Sequence, residues 1–166
     1  MLKKYFAPGS LFSYKGYRNF FISGLIFVLG ASAFPIALAV TVLDNGGDAS
    51  ALGLILASRV LAGTLFMLVG GVWADRLPRK WIMIGADSFR AAICVILLFV
   101  SANDMPLWAI GLLVFLMGLG DSFGAPAGSA IVPSLLPDHL LPAGNVARGI
   151  VAKVGNIVGP GLGGLA

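Results

Sequence analysis

Four charged residues stand inside long apolar runs, and they are where this sequence can do chemistry. Asp87 and Arg90 are the only charges between residues 81 and 103, Asp121 is the only one between 105 and 137, and Arg59 the only one between 49 and 74. Ionised groups in hydrocarbon are costly, so each is a functional candidate by default. Asp87 and Arg90 are three positions apart and share one face of a helix, where a static ion pair neutralises both. Asp121 is the preferred proton-carrying or cation-recognising residue, because a carboxyl in a low-dielectric site can exchange a proton with substrate. A cluster of Asp87, Arg90 and Asp121 is geometrically possible. Arg59 has no acid within one turn; it can reach Asp44, line a polar cavity that suits an anionic substrate group, or pair with another helix.

The elements that must position these residues are membrane helices. The chain has 166 residues, 58% hydrophobic and 11% charged, with 23 glycines and nine prolines. Soluble domains carry about 25% charged residues, and Gly and Pro at this level are tolerated in membrane helices. Crossing the hydrocarbon takes about 20 apolar residues, which predicts an all-α integral membrane fold. The organisation is a cytoplasmic leader, 1–18, then a transmembrane domain, 19–166, with spans near 19–43, 51–74, 81–102, 107–130 and 146–166, the last incomplete. Lys3, Lys4, Lys15 and Arg18 precede the first span, and Arg76, Arg79 and Lys80 join the second to the third; the loops 44–48 and 101–106 hold no Lys or Arg. The positive-inside rule therefore places the N-terminus in the cytoplasm.

Other chemistries find little support. Cys94 is the single cysteine, and His139 the single histidine in a chain without Glu, so neither an internal disulfide nor a metal site is expected. The net charge of +4 comes from dispersed residues and does not suggest nucleic acid. Arg148 and Lys153 read as snorkelling anchors. Tyr14, Tyr17, Trp73, Trp81 and Trp108 read as an interfacial belt. Pro35, Pro126 and Pro160 fall within spans, and glycines recur at every fourth position at 120, 124 and 128 and again at 155, 159 and 163. Such stripes serve either close helix packing or a moving interface.

Two motifs carry a resemblance. Gly71-Val-Trp-Ala-Asp75-Arg76-Leu-Pro-Arg79-Lys80 resembles motif A of the major facilitator superfamily, with Pro78 where the family usually has its second glycine. Gly155-Asn-Ile-Val-Gly159-Pro160-Gly-Leu-Gly163-Gly164 resembles motif C of the family's antiporters, with Val146 at the position of an earlier glycine, and span four lacks the motif B arginine. The stretch 118–137 is similar to the siderophore and multidrug exporter branch. The resemblance implies proton-coupled export of a drug, siderophore or metabolite by two six-helix bundles in the bacterial inner membrane, without enzymatic activity or cofactor. Its partners are the bilayer, a small-molecule substrate, protons and the C-terminal helices of the same transporter. In the family, the motif A acid latches onto the second bundle. These residues alone, four helices and part of a fifth, are not expected to transport.

Two other readings use the same residues. Gly118-Leu-Gly120-Asp121 fits the short G-x-G-D signature of intramembrane aspartyl proteases, with Asp87 as second acid, but Ala86 stands where that family has a tyrosine. A small non-transporting membrane protein assembling by its glycine stripes is the other. An ATP-driven pump is disfavoured because no phosphate-binding G-x-x-x-x-G-K-[ST] loop occurs.

Overall fold

In a bilayer the backbone must satisfy its own polar groups within each segment, which leaves apolar runs of this length one solution, the α-helix. The structure, a computed structural model, describes residues 10–76, 78–100 and 105–164. Within the helices the side chains of Trp73, Asp75, Arg79 and Pro126, among others, lie outside the described residues, as do Lys3, Lys4 and residues 101–104. Among the described residues five α-helices follow one another: α1 (Lys15–Asp44), α2 (Ala49–Arg76), α3 (Arg79–Val100), α4 (Leu107–Leu135) and α5 (Leu141–Gly163). No strand occurs among the described residues, and four of the helices, α1 to α4, are long and apolar enough to cross a membrane.

The helices reach beyond the uncharged runs. α1 starts at Lys15 and α5 at Leu141, because helix geometry continues past the hydrocarbon until something stops it. Pro142 is tolerated in the first turn of α5, where its missing N–H has no intrahelical partner to lose. At the far end of α1 the chain closes on its own carbonyls: Gly47 N–H donates to Val42 O at 2.8 Å, and Gly46 adopts a positive φ of 78°. That left-handed turn suits glycine. Asp48 then caps α2, accepting from Ala51 N–H at 2.8 Å and from the Ser50 hydroxyl. The backbone N–H of Ala51 and then the Ser50 hydroxyl hold this exposed carboxyl below its ordinary range.

The chain packs as two compact units, residues 1–37 with 131–166, and residues 38–130. In the first, α1 and α5 run parallel in constant register. The Tyr17 hydroxyl donates to Gly144 O at 2.8 Å, and Gly155 and Gly159 lie against Val28 and Ser32, each partner 127 positions further along the chain. Tyr17, Val132 and Leu136 form the buried centre, with Phe12, Phe20 and Phe21 around it. Tyr17 is thus a core residue whose hydroxyl has found an acceptor, as a buried tyrosine needs, while Trp81 and Trp108 are exposed. Arg148 lies over the Phe20 ring, 5.4 Å from its centroid.

The second unit holds α2, α3 and most of α4. Along α2, Leu54, Val60, Leu61, Leu65 and Leu68 are exposed. So much apolar surface is unfavourable in water and suited to lipid. Asn45 ties the loops of this unit together, accepting from Met105 N–H at 2.8 Å and donating to Thr41 O at 2.8 Å.

Candidate functional site

The four isolated charges meet. Arg59 lies ten residues from the start of α2 (49 to 59), Arg90 eleven from that of α3 (79 to 90) and Asp121 fourteen from that of α4 (107 to 121). At ~1.5 Å rise per residue these are depths of roughly 15–21 Å, near mid-helix in each case. Asp121 accepts from both arginines: Arg59 Nε reaches its Oδ2 at 2.9 Å and Arg90 Nη1 its Oδ1 at 2.8 Å. Arg90 Nη2 donates in turn to Asp87 Oδ1. One chain of charge, Arg59–Asp121–Arg90–Asp87, therefore joins three helices. Two cations and two anions sum to zero, which removes the larger part of the cost of placing each alone in hydrocarbon.

Of the three partners the sequence allows for Arg59, the structure realises the interhelical pair, with Asp121. The Asp87–Arg90 pair is also present, extended by Asp121. The four side chains differ in exposure: Arg90 is 10% exposed, Arg59 19%, Asp121 30% and Asp87 52%.

Glycines make the room. A Cβ on Gly120 would stand 2.8 Å from Arg90 Cγ, and one on Gly124 2.8 Å from Arg90 Nη2. These two positions of the stripe form a slot for the Arg90 side chain, its stem at Gly120 and its guanidinium at Gly124, whereas Gly128 faces open space. On the other side of α4, a Cβ on Gly118 would overlap the carbonyl oxygen of Arg59, and one on Gly70 that of Ser122. α2 and α4 thus touch backbone to backbone, which brings the short Asp121 side chain within reach of Arg59.

Beside this cluster α3 and α4 line an open apolar cavity of about 380 Å³, bordered by Ile82, Gly85, Ala86 and Phe89 from α3 and Leu119, Gly120 and Phe123 from α4. Its size falls within the range of small-molecule sites. Gly120 borders both the cavity and the Arg90 stem. No group of three or more His, Cys, Asp or Glu side chains able to hold a metal occurs among the described residues.

The two motifs are reached unequally. Gly71 is on α2, Arg76 ends it, and Lys80 lies at the start of α3, 5.9 Å from the centroid of the Trp81 ring. The side chains of Asp75 and Arg79 lie outside the described residues. Gly155, Gly159 and Gly163 face Val28, Ser32 and Ala33 of α1, Pro160 lies within α5, and Gly164 N–H donates to Pro160 O at 3.1 Å.

A profile of the Major Facilitator Superfamily matches residues 20–166. The chain belongs to this superfamily of membrane transporters. Macrolide efflux protein A of Streptococcus pyogenes is 30% identical over 115 residues, which is 69% of this chain and 28% of that protein. Macrolide efflux protein A of Enterococcus faecalis is 39% identical over 72 residues, 43% of this chain and 22% of that protein. The uncharacterised MFS-type transporter YfkF of Bacillus subtilis is 27% identical over 159 residues, 96% of this chain and 39% of that protein. The chain therefore spans well under half the length of the relatives it matches. As a superfamily member with several helices able to cross a bilayer, it is a multi-pass membrane protein.

Two features have no signal in the sequence. The Ser32 hydroxyl donates to Asn156 Oδ1 at 3.0 Å, joining α1 to α5 beside the motif C glycines. Neither residue stands out in its apolar run, and only the parallel register of the two helices brings them together. The apolar lining of the cavity is equally silent, since its residue types are those of ordinary membrane packing.

Proposed function

We propose that these residues form the amino-terminal part of a secondary transporter that exports a small, largely apolar molecule in exchange for protons. The N-terminus lies on the cytoplasmic side of a bacterial inner membrane, and the remaining helices of the same transporter are its partners. The observation that carries the reading is the neutral four-charge cluster at mid-helix beside an apolar cavity. A proton-coupled exporter needs a titratable group in the membrane next to a place for its substrate, and buried carboxyls supply such groups. The basic residues Lys15, Arg18, Arg76 and Lys80 support the orientation. The names of the streptococcal and enterococcal relatives support a macrolide as first substrate to try.

The test is accumulation of radiolabelled erythromycin in cells that lack their own macrolide pumps and express the full-length protein. Accumulation should fall on expression and recover when an ionophore collapses the proton gradient. Accumulation unchanged by expression would remove macrolides, and export indifferent to the ionophore would remove proton coupling.

A further inference from the structure

Within the four-charge cluster the carboxylates are not equivalent. Asp121 uses both oxygens, one for each arginine. A proton on either oxygen would break an ion pair between helices, to Arg59 of α2 or to Arg90 of α3, whereas the Asp87 pair lies within α3. Asp87 is engaged on one oxygen, by Arg90, and its side chain is 52% exposed. Arg90 is the branch point, and it holds the two acids through different nitrogens: Nη1 on Asp121 and Nη2 on Asp87. Its bond to Asp121 therefore survives when the bond to Asp87 is lost.

We propose that Asp87 is the carboxylate that takes up and returns the proton, while Asp121 remains the fixed anchor between Arg59 and Arg90; this rests on the export reading above. Asp121, which the sequence favours for the role, becomes a positioning residue. The step conserves charge and atoms simply. A proton from water adds to the Asp87 carboxylate, the Arg90 Nη2 bond to it is released, and the cluster passes from zero to one positive charge. On the other side of the membrane the proton returns to water and the bond re-forms. Nothing is oxidised or reduced. Among the described residues the charged and titratable groups around Asp87 are Arg90 on its own helix, Asp121 on α4 and, behind it, Arg59 on α2, with the Cys94 thiol one turn beyond Arg90.

The exchange can be read without any substrate, by infrared difference spectra of the full-length protein in liposomes as the pH is lowered. The wild-type protein should gain a carbonyl band of protonated carboxyl that is absent from Asp87→Asn, shifted but present in Asp87→Glu, and retained in Asp121→Asn. A band undiminished in Asp87→Asn would overturn the proposal, and so would its loss in Asp121→Asn with retention in Asp87→Asn. Should Asp121→Asn fail to fold, the two Asp87 variants decide alone, since both leave the arginines on Asp121 in place. A protein that loses the band in Asp87→Asn yet exports nothing separates the two claims: the export reading falls and this assignment stands. Efflux driven by a pH gradient at the wild-type rate in Asp87→Asn would overturn the assignment and leave export intact.

Discussion

The two compact units use glycine for opposite purposes. Between α1 and α5 the glycines at 155, 159 and 163 meet aliphatic side chains and backbone, and the described side-chain hydrogen bonds between the helices are neutral ones, Tyr17 to Gly144 and Ser32 to Asn156. Between α3 and α4 the glycines at 120 and 124 meet the side chain of Arg90, and the helices are joined by the Arg90–Asp121 ion pair. The same four-residue spacing in the sequence thus marks a packed seam in one place and a slot for a cation in the other. What the spacing fixes is a short distance between helices; which group fills the gap depends on the neighbour.

The largest effect is expected at Arg90. Replacing it by Ala leaves Asp87 and Asp121 without their shared cation, and removal of one partner from a buried ionic group costs about 3–5 kcal/mol. Thermal unfolding of the full-length protein in detergent should show that loss, with part of it restored by adding Asp87→Asn. A cost below about 1 kcal/mol, the range of an exposed ion pair, would mean that the network does not hold these helices.

A pair of glycine substitutions sharpens the contrast. A methyl at Gly159 meets Leu29 O at 3.0 Å and the Ser32 carbonyl carbon at 3.2 Å, atoms that move only with the backbone. A methyl at Gly124 meets the tip of the Arg90 side chain. Overpacking against fixed neighbours costs about 1–3 kcal/mol, so Gly159→Ala should destabilise more than Gly124→Ala in the same assay. The reverse order would assign the rigid seam to the wrong pair of helices. The smallest effect is expected at Asn156→Ala, which removes the bond to Ser32; hydrogen bonds between membrane helices average about 0.6 kcal/mol. A loss several times larger would show that the α1–α5 seam depends on that polar contact as well as on packing.

Much of this was legible because charge is rare in the chain. Arg59, Asp87, Arg90 and Asp121 stand out against apolar runs, and the run lengths alone call for membrane helices. The i, i+3 pair of Asp87 and Arg90 follows from helical geometry within one element. The link from Asp121 to Arg59 does not, because a period along one helix says nothing about which other helix lies beside it. Nor does residue type reveal how many bonds an acid makes. Asp121 and Asp87 look alike as aspartates in apolar runs, and their difference lies in the neighbours each one meets across α2, α3 and α4. The burial of Tyr17 is hidden for the same reason, since its acceptor, Gly144 O, belongs to a helix far along the chain.

The neutrality of the Arg59–Asp121–Arg90–Asp87 chain also has an electrical meaning. Moving one elementary charge through the membrane potential is worth about 2.3 kcal/mol per 100 mV, but a group whose charges cancel does no such work when it shifts as a body. With Asp87 ionised the cluster is blind to voltage. With Asp87 protonated it carries one positive charge and feels the whole field, so on this assignment the potential acts on the helices only while the proton is aboard.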